Sequence, residues 1–289
     1  ALKVAHCTDA ACTEATISTL DTMDTTAPAT STIGLATSVA IGTDGLGLIS
    51  YFAKDGGNSS LRVAHCDNLE CSTAETTTLV SFGSFSSTEA YNSITIGGDG
   101  LGLIAYYDFA SGDLRVAHCD NVACTSATVA TLDSTGDVGR HVAATTGTDG
   151  LGLISYSDVD NASLKVAHCA DAACSSAIVS VLKSVTALHT SIAIGTDGFG
   201  LVAYQDESGK RLTLAHCLNT LCTSSTNTVV HDGGEGFWRT SMVIGADGLP
   251  LISFGGLLDH CSDKSCVNGT KVALPRGASN VLSSSTTIG

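Results

Sequence analysis

The sequence predicts an all-β protein: a six-bladed β-propeller of four-stranded antiparallel blades, with one disulfide in each blade. Three observations predict it. The segment Leu-x-Val-Ala-His-Cys-x-Asx-x-x-Cys recurs at Leu2–Cys12, Leu61–Cys71, Leu114–Cys124 and Leu164–Cys174, more loosely at Leu212–Cys222, and in a decayed form from Asp259 to Cys266. An Asp-Gly step between two apolar runs, a strong hairpin signal, stands at Asp44-Gly45, Asp99-Gly100, Asp149-Gly150, Asp197-Gly198 and Asp247-Gly248. Charged residues make up only 14% and aromatics 5%, with Gly, Ser, Thr and small aliphatics filling the chain, which suits strands and turns rather than helices. A repeat of roughly fifty residues carrying several short strands indicates one module used many times around a common core, so the 289 residues are expected to form a single domain.

Within each unit the elements follow in order. A short run such as Ser38–Ile41, Ser93–Ile96 or Ser191–Ile194 forms the first strand and leads into the Asp-Gly turn. The second strand is the near-continuous apolar run at Leu46–Tyr51, Leu101–Tyr106, Leu151–Tyr156 and Leu201–Tyr204, a pattern expected of a strand covered on both faces. A polar turn precedes the third strand, Leu-Lys/Arg-Val-Ala-His-Cys. The fourth is a Thr/Val/Ala run such as Thr76–Val80 or Thr128–Leu132. The units span approximately 38–92, 93–140, 141–190, 191–239 and 240–283, and an incomplete one combines 1–37 with 284–289. That sixth blade is built from both chain ends: the chain opens on a third strand at Leu2, stops after a first strand at Ser285–Ile288, and lacks the second. A strand beyond Gly289, a strand donated by a neighbouring subunit, or a three-stranded blade are the expected solutions.

All twelve cysteines fall into six pairs with one spacing: Cys7–Cys12, Cys66–Cys71, Cys119–Cys124, Cys169–Cys174, Cys217–Cys222 and Cys261–Cys266. Across a four-residue hairpin loop, residues i and i+5 are expected to face each other within disulfide range. Adjacent His and Cys on a strand point to opposite faces and cannot grip one ion, and the spacing departs from zinc patterns. Each short ring is worth at most about 2 kcal/mol by loop-closure arithmetic. The Asx between each pair (Asp9, Asn68, Asn121, Asp171, Asn219, Asp263) is expected to cap its own turn. The repeated histidines His6, His65, His118, His168, His216 and His260 read as scaffold, each hydrogen-bonded within its blade, because an active site needs a base once. The turns at Asp108–Asp113, Asp158–Ser163 and Asp206–Gly209 lack the full carboxylate set of a calcium loop. No metal, cofactor or catalytic residue is assigned.

What differs between units is the connection from fourth to first strand. It carries Tyr91, Arg140, His141, His189, Trp238 and Arg239, the candidate ligand-binding residues, with an Arg beside the sole Trp. The net charge of −15 excludes nucleic acid as a partner, and no apolar run is long enough for a membrane span. Regular cysteine pairing points to an oxidising compartment, hence to a secreted or cell-surface protein. The sequons at Asn58, Asn161 and Asn268 are candidate glycosylation sites. Ala1 without a signal-peptide pattern predicts a processed product or a piece of a longer chain.

The alternation Asp-Gly-Leu-Gly-Leu-Ile-Ser-Tyr then Leu-Lys-Val-Ala-His-Cys resembles propeller-type repeats of secreted bacterial proteins without an assigned activity. The likeness runs along nearly the whole chain and implies architecture rather than function. The Trp-Asp dipeptide of WD-type propellers and the Ser-x-Asp-x-Gly-x-Thr-Trp boxes of sialidases are missing. On this footing the sequence favours a non-catalytic extracellular scaffold, an adhesion module or a surface-layer or filament subunit, associating with itself or with other extracellular proteins. The alternative is a lectin-like propeller binding glycan through its variable connections. A glycoside hydrolase is the third reading; it needs two facing carboxyl groups, for which the non-repeated acids Glu89, Asp137, Glu207 and Glu235 are the candidates.

Overall fold

The computed structural model describes residues 1–10, 12–23, 31–55, 57–83, 90–233 and 239–273. Every regular element among them is a strand. Five four-stranded antiparallel meanders follow one another along the chain. The first comprises β3 (Thr32–Ile41), β4 (Gly47–Asp55), β5 (Asn58–Cys66) and β6 (Ala74–Phe82). The second runs through β7 (Asn92–Ile96), β8 (Gly102–Asp108), β9 (Asp113–Cys119) and β10 (Ala127–Asp133). In the third lie β11 (Val138–Thr146), β12 (Gly152–Asp158), β13 (Ser163–Cys169) and β14 (Ala177–Lys183). The fourth holds β15 (Ala187–Ile194), β16 (Gly200–Asp206), β17 (Arg211–Cys217) and β18 (Ser225–Asp232), and the fifth β19 (Thr240–Ile244), β20 (Pro250–Phe254), β21 (Leu257–Cys261) and β22 (Gly269–Ala273). A two-stranded sheet of β1 (Leu2–Cys7) and β2 (Ala15–Asp21) precedes them. The sequence-predicted strand at Ser285–Ile288 lies outside the described residues.

Successive sheets pack face to face, with the first strands β3, β7, β11, β15 and β19 adjoining in series, the arrangement of propeller blades. The core is therefore divided among the blade interfaces. Leu48, Phe52, Leu61 and Val63 of one sheet close on Ile94, Ile104, Tyr106 and Ala117 of the next. Leu103, Leu114 and Val116 then close on Val138, Ile154 and Tyr156. The second strands sit in the middle of this stack; β8 and β12 are buried along their whole length, which is why their sequence is apolar on both faces. Gly152 shows how close the approach is. A Cβ there would lie 2.5 Å from Leu103 Cδ2 of the preceding blade and 2.8 Å from Cys169 Sγ.

All six disulfides form between the expected partners. One detail differs from expectation. The strand partner of each first cysteine lies three residues beyond the second: Cys66 faces Ala74, Cys119 faces Ala127 and Cys169 faces Ala177. The bridge thus closes a turn inside a longer loop instead of spanning the ladder. The turn uses a left-handed residue at the second cysteine (φ 49 to 54°), whose amide donates to the Asx carbonyl two residues after the first, as in Cys124 to Asn121 at 3.0 Å. The Asx side chain accepts the following amide, Thr125 N–H to Asn121 Oδ1 at 3.2 Å, so it does cap its turn.

The repeated histidines are scaffold, with a partner that sequence reading did not name: the Asp of the Asp-Gly turn. His65–Asp44, His118–Asp99, His168–Asp149, His216–Asp197 and His260–Asp247 each meet at 2.8 Å. One carboxylate oxygen holds the imidazole Nε2 while the other accepts the amide two residues on, as in Leu151 N–H to Asp149 Oδ1 at 3.0 Å. A single Asp thereby shapes its own turn and ties the first hairpin to the third strand.

A second polar device crosses between blades. Lys165 Nζ lies 3.0 Å from Asp133 Oδ2 of the preceding blade and 2.6 Å from Asp158 Oδ2. The Tyr156 hydroxyl donates to the same Asp133 oxygen at 2.8 Å. All of these side chains are almost wholly buried. Asp158 also accepts from Asn161 at 2.9 Å, and Asp108 accepts from the Ala110 amide at 3.0 Å; these acids serve turn and core chemistry, as the sequence suggested. The exposed Asn161 side chain is occupied by Asp158, whereas Asn58 and Asn268 are simply exposed.

Two stability predictions follow from these devices. Lys165→Ala leaves two buried carboxylates without their cation and is expected to cost about 3–5 kcal/mol, read by urea unfolding. Asp149→Ala removes a turn cap and the imidazole partner together, an expected loss of about 1–3 kcal/mol. Burial pushes the Asp149 carboxyl up, but the Leu151 amide and the His168 ring outweigh it, and the group ends below its ordinary value of 3.8. Its stabilisation is complete above that value and is lost as pH falls through the lowered one. The variant is accordingly expected to show a shallower acid limb below pH ~4 than the parent.

Candidate functional site

The residues that vary from blade to blade converge at one register position. Ser38, Ser93, Ala143, Ser191 and Ser241 occupy the same ladder place, facing Ser50, Ala105, Ser155, Ala203 and Ser253 of their second strands. Two residues earlier stand Ala36, Tyr91, His141, His189 and Arg239. Because first strands of successive blades adjoin, these side chains become neighbours at one axial end. The Tyr91 and His141 rings are 4.5 Å apart between centroids, and His141 and His189 are 4.7 Å apart. Arg239 is exposed and continues the series.

The local backbone explains the placement. Sequence reading assigned these residues to the connection before the first strand; the structure instead puts Ala36, His141 and His189 inside it, on bulges where pairing register shifts. All three are left-handed, with φ of 48, 55 and 52°, which costs a non-glycine residue about 1 kcal/mol or more. A side chain of the next blade holds each bulge by donating to its carbonyl: Asn92 to Ala36 at 2.5 Å, Thr190 to His141 at 2.5 Å, and Thr240 to His189. Tyr91 is the exception that explains the rule. Its following-blade neighbour is Val142, which has no donor, and its carbonyl accepts the Tyr107 amide at 3.0 Å in its own sheet.

The same side of the site carries a clamped carboxylate. Asp137 accepts from the Tyr107 hydroxyl at 2.9 Å and from Arg140 Nε at 3.1 Å, and its other oxygen lies 2.9 Å from a terminal Arg140 nitrogen. The Arg140 guanidinium stands 5.2 Å from the Tyr107 ring centre, and Tyr107 meets Tyr91 edge-on at 6.2 Å. Burial, helped by the Asp137 hydrogen bond, raises the Tyr107 phenol to about 12. Sequence reading missed Tyr107, although a signal was present: the residue after the repeated second-strand Tyr is Phe52, Ser157 or Gln205 in other blades.

The imidazoles are held neutral. Burial first, then the neighbouring His189, Arg239 and Arg140 charges, lower His141 to about 3. Burial and the Arg239 charge lower His189 to about 4. Neutral rings offer one donor and one acceptor nitrogen each, beside an aromatic face and guanidinium groups. That combination suits hydroxyl-rich ligands: stacking from Tyr91, hydrogen bonds in both directions from the imidazoles, and an anchor for negative charge at Arg239.

Of the predicted ligand residues, Tyr91, Arg140, His141 and His189 are thus brought together and Arg239 completes their line; Trp238 lies outside the described residues. Of the candidate acids, Asp137 is at the site and Glu207 is exposed in the turn after β16, whereas Glu89 and Glu235 lie outside the described residues. Among the described residues no group of three or more His, Cys, Asp or Glu gathers in a metal-holding cluster, and no helix is long and apolar enough to cross a membrane.

No family model and no curated protein matches the chain. Solved structures do resemble it. A protein of unknown function from Dyadobacter fermentans superposes with a TM-score of 0.62 at 12% identity, covering 86% of this chain and 84% of that one. An α-L-arabinanase from Penicillium chrysogenum, complexed with arabinobiose, gives 0.58 at 13% identity over 86% and 83%. A Hadza microbial sialidase gives 0.56 at 12% identity; the match covers 85% of this chain but 59% of the sialidase. At such identities the likeness establishes the propeller fold and leaves the particular repeat type untested.

The comparisons correct the functional expectation. The sequence favoured a non-catalytic structural or filament-forming propeller and no enzyme, on the ground that a repeated scaffold without a visible catalytic constellation is architectural. An arabinanase and a sialidase share this fold, so the architecture does not argue against catalysis.

One property of the site can be measured directly. The unfolded chain protonates histidine near 6.5, whereas the folded chain keeps His141 and His189 neutral well below that. Stability is therefore expected to fall as pH drops from 6.5 toward 4, and His141→Gln with His189→Gln to flatten that slope. Ring proton shifts recorded by NMR should show neither imidazole titrating above pH ~5; titration near 6.5 would contradict the assignment.

Proposed function

We propose that the protein is a secreted carbohydrate-active enzyme that takes a saccharide at the axial mouth formed by Tyr91, His141, His189 and Arg239. The observation that carries this reading is the series of rings from consecutive blades, with centroids 4.5 and 4.7 Å apart, two of them on strained bulges that a neighbouring blade holds in place. Strain kept at a cluster of polar and aromatic side chains is characteristic of functional sites. Stacking of a sugar face on Tyr91 and hydroxyl bonding by neutral imidazoles match this chemistry, and the shared fold with an arabinanase bound to arabinobiose and with a sialidase supports it.

Cleaving a glycosidic bond calls for two carboxyl groups. Asp137 has both oxygens engaged by Tyr107 and Arg140, so it is the positioning acid, orienting Arg140 at the mouth. The sequence offers Glu89, Glu207 and Glu235 as the further candidate acids. Six disulfides support work in an oxidising, extracellular setting. We read the array as six-bladed, with β1–β2 as the remnant of the sixth blade, and its repeats as those of secreted bacterial propellers.

The test is a panel of arabinans, galactans and sialylated glycans, read both by sugar release and by binding. The expected result is activity on at least one member, reduced more than tenfold by His141→Ala or His189→Ala. Leu69→Ala, at an exposed position on a disulfide loop, should leave it unchanged. A parent protein that neither binds nor cleaves any member, or variants at the mouth that behave like Leu69→Ala, would refute the proposal.

A further inference from the structure

The buried cluster between the second and third blades combines two arrangements that the preceding blades keep apart. In the first blade, Arg62 and the Tyr51 hydroxyl both donate to Asp21 of the preceding sheet, at 3.1 and 2.6 Å. In the second, Arg115 donates instead to Asp108, at the end of its own second strand, at 2.9 Å. The third blade joins both: Lys165 meets Asp133 of the preceding sheet and Asp158 of its own second strand. The three cations hold one ladder place, opposite Tyr51, Tyr106 and Tyr156. What changes is their depth and their chemistry. The two arginine side chains are 27 and 29% exposed, the lysine 11%. A guanidinium stays charged, whereas a lysine amine can give up a proton and act as a nucleophile.

The surroundings give the two carboxyl groups different roles. Both Asp133 oxygens accept from fixed donors, Oδ1 from the Thr135 amide at 3.1 Å and Oδ2 from the Tyr156 hydroxyl at 2.8 Å. Donors on both oxygens draw electron density from the carboxyl carbon and stabilise the charge that develops there on attack. Lys165 Nζ already stands 3.0 Å from that Oδ2. Asp158 is fully enclosed, with its Oδ2 2.6 Å from the same nitrogen. Burial raises the Asp158 carboxyl, but hydrogen bonds from Lys165 and Asn161 outweigh it and hold the group below its ordinary range. Asp158 is therefore ionised and able to take a proton from Nζ. Burial lowers the Lys165 amine, but its bonds to Asp158 and Asp133 outweigh that and raise it. The resting group is an ammonium, and attack begins with its proton moving to Asp158.

We infer that Lys165 and Asp133 condense into an amide that cross-links the second blade to the third, with Asp158 as proton carrier. Nζ passes a proton to Asp158, and its freed lone pair attacks Cγ of Asp133. The Nζ–Cγ bond forms and one Cγ–O bond breaks. That oxygen leaves with two protons, both drawn from the former ammonium and relayed by Asp158. An ammonium and a carboxylate thus become an amide and one water, with no co-reactant. Holding the two groups in contact replaces a rare encounter by a reaction within one site. Condensation is unfavourable in bulk water, but here it reduces three buried charges to one, and charge is costly to bury. The closed core keeps water from reversing it. Asp158 retains its Asn161 donors and gains the new amide N–H. None of these residues belongs to the Tyr91–Arg239 series, so the inference is independent of the saccharide reading.

Intact-mass spectrometry of the 289-residue chain, with its disulfides formed, is the test. The expected mass is one water below that of the disulfide-bonded sequence, and digestion should yield a branched peptide joining residues 133 and 165. Lys165→Arg, which gives the third blade the cation that the first already carries, should restore the full mass. Asp158→Asn should do the same, because it removes the proton carrier and leaves both reacting groups in place. Circular dichroism matching the parent's shows that each variant has folded. A parent chain of full mass would overturn the inference. So would a deficit that survives Lys165→Arg, since the lost water would then come from elsewhere. A branch through residue 158 would overturn it too, by reversing the roles of the two acids.

Discussion

The structure depends on how neighbouring blades bond where their backbones cannot. First strands of adjacent blades lie side by side without forming a ladder, so their facing amides and carbonyls need partners from side chains. Serine at one register supplies an acceptor: Ser38 to the Ile94 amide, Ser93 to the Ala144 amide, Ser191 to the Met242 amide, all at 3.0–3.1 Å. Asn92, Thr190 and Thr240 return a donor to the preceding carbonyl. This exchange fixes the spacing of blades, sustains the left-handed bulges, and in doing so aims Tyr91, His141 and His189 at one another. Fold and site share a single set of hydrogen bonds.

Away from the axis each blade is largely self-sufficient. The disulfide, the Asx cap and the Asp–His pair are all local, closing within one sheet. Such local closure lets a module repeat with little regard for its neighbours, and frees the inner register positions to diverge. The buried Lys165–Asp133–Asp158 group is different, because it spans two blades. A buried charge cluster is a poor source of net stability but tolerates few alternative arrangements, and here it pins the second blade to the third.

Much of the fold was legible because the repeat averages out noise. Asp-Gly turns, apolar second strands and paired cysteines each recur five or six times, so a reading that fits one unit is tested by the rest. The disulfides could be named from spacing, yet their placement within the loop could not, since nothing in the cysteine spacing reveals that the ladder resumes at Ala74 or Ala127. The scaffold role of the histidines was visible from repetition, but not their partner: Asp149 and His168 are nineteen residues apart, and only the folded hairpin brings them to 2.8 Å. The functional expectation failed for a related reason. Repetition reveals what is common to the blades, whereas a site in a propeller is assembled from what is not.

The chain by itself determined the all-β class, the module, its strands and its covalent staples, because these follow from local periodicity, turn residues and short loops. Tertiary structure decided which single residues from distant blades become neighbours. Tyr91, His141 and His189 are about fifty residues apart in sequence and touch only because first strands stack in register around an axis. The identical Leu2–Cys7 and Leu164–Cys169 segments put the point most directly. Equal sequence gives equal strands, and how deeply each is buried depends on the neighbour it finds.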